Sequence, residues 1–181
     1  MLKGKKINLR TVRERDLETM LTLSSDMEAR GEFFPVYLTT ETGLRKRFNE
    51  DGMISEEKGN LLIVDKETDE ILGSIAYYKP VFFYSAYEMG YILWRTDYRG
   101  KGIMPEAVEL LTQHLFDAYP ITRVQLQIEP GNIPSKRVAE KCGFTHEGTM
   151  RQALVMRGKA RDISMYSLLR SEWDERKAKR L

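Results

Sequence analysis

Cysteine is almost missing from the 181 residues. Cys142 stands alone, so no internal disulfide forms and a disulfide-built secreted scaffold is excluded. Histidine is nearly as scarce, with only His114 and His146, and with one thiol this excludes a multi-histidine or cysteine-based metal centre; no metal is expected. Long apolar runs are lacking too. The longest purely aliphatic run, Leu61–Val64, falls far short of the roughly 20 residues that cross a bilayer. The basic start Met1-Leu2-Lys3-Gly4-Lys5-Lys6 has no apolar stretch behind it, so no signal peptide is expected. Nor is there an excess of charge of one sign. Lys+Arg 29 against Asp+Glu 27 leaves +2, which gives no pointer to nucleic acid. What remains is 41% hydrophobic and 31% charged, the composition of a folded globular chain. We expect one cytoplasmic domain over residues 1–181.

The pattern along the chain alternates between periods. Lys5–Thr11 reads as a strand, with Ile7 and Leu9 alternating against polar neighbours. A helix follows, carrying Leu17, Met20, Leu21 and Ser24 at helical spacing. Residues 28–38 break the pattern with Gly31 and Pro35 and hold Phe33, Phe34 and Tyr37; Thr39-Thr40-Glu41-Thr42 caps a second helix to about Asn49. Strands are predicted over 60–65, 71–78 and 86–94, the last with Tyr87, Met89, Tyr91 and Leu93 on one face. A strong amphipathic helix spans 105–119, with Ala107, Leu110, Leu111 and Leu115 as its stripe. Residues 123–129 alternate as a strand, 134–142 form a short helix closed by Gly143, and 144–155 and 160–169 read as two more strands. Mixed strands around a central strand–loop–helix give an α/β fold: a mixed, twisted sheet with helices on both faces.

Two segments can carry chemistry. Arg99-Gly100-Lys101-Gly102-Ile103-Met104 lies between a strand and a helix. Two glycines expose backbone N–H groups, the helix aims its positive dipole end at them, and Arg99 and Lys101 add charge. That is the make-up of a phosphate cradle, although a plain connecting loop has the same composition. It is neither a Walker loop nor a full dinucleotide fingerprint. In the second segment, Asn132 and Ser135 open the short helix, where simple capping is the plain reading.

Taken in order, the two segments resemble the GNAT superfamily of acetyl-CoA-dependent N-acetyltransferases. The family's acyl-CoA signature, Gln/Arg-x-x-Gly-x-Gly/Ala, matches Arg99 and Gly102, and its Asn-x-x-Ser hallmark matches Asn132 and Ser135, followed by Val138 and Gly143-Phe144. The ending Arg161-Asp162-Ile163-Ser164-Met165-Tyr166, with Glu172-Trp173 beyond it, is similar to the Rim-type branch that acetylates ribosomal-protein amino termini. The likeness covers about residues 3–174. Met104 replaces the signature's last small residue and adds bulk near the diphosphate, Pro105 removes an N–H, and Ala139 stands where many members carry a tyrosine acid.

The resemblance implies a mostly antiparallel sheet whose central strands splay into a V that admits acetyl-CoA. It implies that backbone groups of Ile92, Leu93 and Trp94 pair with pantetheine and that N–H groups from Arg99, Gly100, Lys101, Gly102, Ile103 and Met104 hold the diphosphate, with Asn132 on the pantetheine arm. It makes Glu88 the base, with Glu129 as runner-up, and Ser135 the group that meets the leaving thiolate. Phe33, Phe34 and Tyr37 either cap the core or wall the acceptor site. The acceptor is a protein α-amino group or a small-molecule amine; the non-catalytic alternative is a CoA-binding sensor or interaction module. Tyr77, Tyr78, Phe82, Phe83 and Tyr84 form a second aromatic group, an acceptor wall or a homodimer contact. His114, His146 and Cys142 are read as structural, and Asp174–Leu181 as a solvated end.

Overall fold

The computed structural model describes residues 1–179 and builds them around one eight-stranded sheet. The strands are β1 (Leu2–Lys3), β2 (Ile7–Thr11), β3 (Lys58–Asp65), β4 (Ile71–Tyr78), β5 (Ala86–Leu93), β6 (Arg123–Ile128), β7 (Thr145–Met156) and β8 (Lys159–Leu169). Their spatial order is β1-β2-β3-β4-β5-β6-β8-β7. Neighbours are antiparallel except β5 and β6, whose parallel pairing uses the long helical crossover between them. The tight connections have their own chemistry. Asp65 Oδ1 accepts from the N–H groups of Glu67 and Thr68 to turn β3 into β4. Arg157 and Gly158, at φ 51° and 72°, make the two-residue turn between β7 and β8.

Helices cover both faces: α1 (Leu17–Ser25), α2 (Met27–Arg30), α3 (Glu41–Asp51), α4 (Ile103–Ala118), α5 (Ile133–Lys141) and α6 (Arg170–Ala178). The period of two in the strands sorts side chains between two cores. Tyr87, Met89, Leu126 and Ile128 pack with the α4 stripe and with Ala139, Phe144 and Trp173. Leu62, Val64, Ile92 and Trp94 pack on the opposite face with Leu17 and Met20 of α1 and Leu44 of α3. β3 is buried on both sides, which explains its unbroken apolar run. Under α1, Arg10 and Asp16, 3% and 4% exposed, form a two-bond ion pair at 2.6 and 3.0 Å.

The structure differs from the sequence expectation in three places. The two-residue β1 is present, and α2 occupies the start of the segment expected to be irregular, with Asp26 Oδ1 capping the N–H groups of Glu28 and Ala29. The end from Asp174 is mostly exposed, as expected, but it is also helical as far as Ala178; residues 180 and 181 of that stretch lie outside the described residues. The nine residues of α6 contain one large apolar side chain, Trp173, so no stripe marked them. Trp173 is buried beside Phe116, and the Arg176 guanidinium bonds the Cys142 carbonyl. Gly143, at φ 80°, sits where any β-carbon would strike that guanidinium.

The feature that positions a site lies between β5 and β6. Their pairing runs only from Ala86 opposite Arg123 to Met89 opposite Leu126. β5 continues to Leu93 and β6 to Ile128 without facing each other, which opens the expected V.

Candidate active site

At one mouth of this gap is the loop 99–104. Gly100 and Gly102 take φ 75° and 80°, and Gly102 is the N-cap of α4. Among the described residues the N–H groups of Gly100, Lys101, Gly102, Ile103 and Met104 bond no other protein group. This row of free donors at a helix start suits a diphosphate. The side chains of Ile103 and Met104 are buried in the core, so the bulk of Met104 lies inside the protein rather than at the cradle. Pro105 is the third residue of α4, where its missing N–H would have had no intrahelical acceptor.

Arg99 departs from expectation. Its N–H donates to Thr96 O at 3.1 Å, and its guanidinium donates to Ala29 O at 2.7 Å, so its groups tie the loop to α2. Lys101 Nζ lies 4.8 Å above the Tyr98 ring. The cation drawn to the loop is one that sequence reading missed: Lys6 Nζ donates to Lys101 O at 2.8 Å. Lys6 lies 95 residues away in the chain, and no local pattern marks it.

Along the gap, the expected trio of backbone partners is corrected by strand alternation. Trp94 N–H donates to Leu72 O at 2.9 Å, so Trp94 is committed to β4, and Ile92, two residues earlier, faces the same way. The residues whose backbone groups face the gap are Tyr91 and Leu93.

Glu88 lies on the α1–α3 side of β5, and it is not a surface carboxylate: it is 3% exposed. One oxygen accepts from the Tyr78 hydroxyl. The other accepts from Gln125 Nε2 at 2.8 Å and Gln127 Nε2 at 3.0 Å. Burial, and then the bond to Glu88, pushes the Tyr78 phenol well above its usual range. Glu129 is also buried, with Oε2 3.7 Å from Arg161 Nη1 and Oε1 without a hydrogen-bond partner among the described residues.

On the other face, Asn132 caps α5: its Oδ1 accepts from Ser135 N–H at 3.2 Å, and its amide NH2 is not part of that bond. Ser135 Oγ lies 2.7 Å from the hydroxyl of Tyr91, a residue that sequence reading placed on one strand face without a partner. Burial raises the Tyr91 phenol above its usual range, with the Ser135 bond acting the other way.

The aromatic trio divides. The Phe33 ring sits beside Gly131, at the turn from β6 into α5. Phe34 packs on the α1–α3 core under the Arg30 guanidinium, 5.9 Å from its ring centre. Tyr37 is 78% exposed. Arg30 holds the segment through the carbonyls of Ser24, Pro35 and Tyr37, and Arg157 from the β7–β8 tip donates to Gly31 O at 2.8 Å. Phe82, Phe83 and Tyr84 stack edge-to-face at the exposed β4–β5 tip, whereas Tyr77 is buried. His114 and His146 stack near Tyr119 and Tyr166, and Cys142 is buried with Sγ 3.4 Å from Pro105 O. Among the described residues no cluster of three or more His, Cys, Asp or Glu side chains could hold a metal, and no helix is long and apolar enough to cross a membrane.

Comparison with known proteins agrees with this geometry. The family model described as an acetyltransferase (GNAT) domain matches residues 6–145. The chain is 32% identical over 178 residues to a probable N-acetyltransferase, YjcK, of Bacillus subtilis (strain 168), covering 93% of this chain and 97% of that protein. Its fold is similar to the ribosomal-protein-S5-alanine acetyltransferase of Vibrio fischeri, with TM-score 0.80, 23% identity and coverage of 94% and 97%. It is equally similar to the spermidine N-acetyltransferase of Vibrio cholerae in complex with CoA and spermine, with TM-score 0.80, 16% identity and coverage of 94% and 99%.

Proposed function

The chain belongs to the acetyltransferase (GNAT) family and is an N-acetyltransferase that uses acetyl-CoA; on that premise we propose how its gap performs the transfer and which amine it takes. Residues 1–181 are read as one acetyltransferase domain of the Rim type. The observation that carries the mechanism is the opening between β5 and β6, with free N–H groups at its mouth and a buried carboxylate beside the last paired rungs.

Acetyl-CoA is held by the N–H groups of residues 100–104 at its diphosphate, with Lys6 and Lys101 adding positive charge. The pantetheine arm pairs with backbone groups of Tyr91 and Leu93 and with the Asn132 amide. The N–H of Leu93 polarises the thioester carbonyl, which stabilises charge where it develops. An amine is mostly protonated at neutral pH and must lose a proton before attacking. Glu88 takes that proton. The nitrogen attacks the thioester carbon, the C–S bond breaks, and the thiolate leaves toward Ser135, whose hydroxyl is backed by Tyr91.

The acceptor we assign is the α-amino group of a polypeptide. A small amine suits a pocket that closes around it. Here Tyr37 stands in solvent and Phe34 is committed to the core, leaving Phe33 as the one aromatic of the three at the gap. An open approach of this kind admits an extended chain. The single cysteine and balanced charge support a cytoplasmic setting, and the exposed Phe82–Tyr84 tip is the surface on which a homodimer would form.

The test is CoA release from acetyl-CoA with short peptides bearing free amino termini, the same peptides blocked at the amino terminus, and polyamines. Release with free peptides alone supports the assignment. Release with polyamines and none with peptides overturns it. Glu88→Gln should lower kcat by about 10²–10⁴-fold and keep acetyl-CoA binding.

A further inference from the structure

Glu88 presents a geometric difficulty for direct proton removal. The carboxylate is 3% exposed, and both oxygens are already engaged, one by Tyr78 and the other by Gln125 and Gln127. An incoming amine therefore meets the outside of this cluster before it meets the carboxylate. Tyr78 is directly opposite Glu88 in the β4–β5 register and so shares its face of the sheet. It is the hydroxyl partner of Oε1, and as a residue Tyr78 is 42% exposed where Glu88 is 3%. The two glutamine amides only donate hydrogen bonds to the carboxylate and do not titrate, so they hold it without passing protons. A phenol both donates and accepts, so it alone of the three can take a proton on one side and give one on the other.

We infer that Tyr78 is a catalytic residue of this enzyme, the relay through which the acceptor ammonium delivers its proton to Glu88. The inference rests on the reading of Glu88 as the base. The step balances without a further reactant. One N–H bond of the ammonium breaks as its proton joins the Tyr78 oxygen. The phenol's own O–H bond breaks as that proton joins Glu88 Oε1. The products are a neutral amine, a neutral tyrosine and a protonated Glu88, and the return to solvent after product release uses the same two bonds in reverse. A relay of this kind needs a phenol that stays protonated between turnovers. Burial and the bond to Glu88 supply this by holding the Tyr78 hydroxyl above its usual range.

The experiment compares Tyr78→Phe, Gln127→Ala, Glu88→Gln and the Tyr78→Phe/Glu88→Gln double variant by CoA release and by the thermal shift that acetyl-CoA produces. Tyr78→Phe keeps the exposed ring and should keep both the melting temperature and the acetyl-CoA shift. It should lower kcat by about 10²-fold with the acetyl-CoA KM unchanged. Gln127→Ala, which loosens the same carboxylate without touching the relay, should cost several-fold less. The double variant should be no slower than Glu88→Gln, because groups that act as one unit are not additive. A Tyr78→Phe protein within about twofold of wild type while Glu88→Gln is disabled overturns the relay and leaves Glu88 as base. Equal losses in Tyr78→Phe and Gln127→Ala also overturn it, since the phenol would then only hold the carboxylate. Normal turnover in Glu88→Gln overturns both readings.

Discussion

The Tyr91 hydroxyl stands 2.7 Å from Ser135 Oγ, joining the end of β5 that leaves β6 to the first turn of α5. Tyr91 is the side chain behind Ser135, and burial keeps its phenol protonated into the alkaline range. Removing the serine hydroxyl should therefore leave the departing thiolate unsupported. We expect Ser135→Ala to lower kcat by about 10²-fold and Tyr91→Phe by less, because Tyr91 acts through Ser135. Raising the pH, which supplies free amine and should rescue Glu88→Gln, should rescue neither. Recovery of Ser135→Ala at alkaline pH would place the serine on the amine side instead.

Acetyl-CoA should stabilise the folded protein, because the row of free N–H groups from Gly100 to Met104 exists only when α4 and its loop are formed. At about 100 times the dissociation constant the gain is about 2.7 kcal/mol, a rise of several degrees in melting temperature. Gly102→Val puts a branched side chain at φ 80° in the cradle and should abolish the rise. Lys6→Ala should reduce it without abolishing it. A full shift in Gly102→Val would show that the diphosphate lies elsewhere.

Phe33 and Phe34 should separate in their effects. Phe34 packs on the α1–α3 core, so Phe34→Ala should lower stability by about 3 kcal/mol and leave acceptor KM near normal in the folded fraction. Phe33 stands beside Gly131 at the gap, so Phe33→Ala should raise acceptor KM with a smaller effect on melting. Paired melting curves and acceptor titrations decide this, and the reverse pattern would exchange the two assignments.

The Arg10–Asp16 pair sets an acid limit on stability. Burial alone would raise the Asp16 carboxyl, but the bonds from Arg10 and from the Arg13 N–H outweigh it and hold the group below the usual carboxylate range. A depressed folded value means that the contribution is present above the unfolded carboxylate value of about 4 and is lost as pH falls through the folded one. Asp16→Asn should cost about 3 kcal/mol at neutral pH, since it leaves the buried guanidinium with only the partly exposed Asp69 as a charge partner. Urea unfolding at neutral and acidic pH should show the difference from wild type shrinking as pH falls. An unchanged difference would mean that Asp16 does not titrate with unfolding.

The left-handed loop before α4 and the α5 cap were legible in the sequence because each is made by a few consecutive residues. A left-handed turn at Gly100 and Gly102 and an Asn132 cap three residues before Ser135 are local backbone requirements, and local sequence states them directly. Alternation likewise assigns Glu88 and Tyr91 to opposite faces of β5. It does not say which side chain stands across from each. That was decided by register between strands and helices far apart in the chain. Tyr78 and Gln125, which bond Glu88, lie 10 and 37 positions away, and Ser135 lies 44 from Tyr91. The same distance hid Lys6 at the loop and sent the Arg99 guanidinium to Ala29. It also hid α6, whose single large apolar side chain has no periodic signal and is buried only because Phe116 and the rest of the core are there to receive it. Backbone conformation follows from neighbours in sequence, whereas the partner of a buried polar group follows from packing, which no short window of sequence contains.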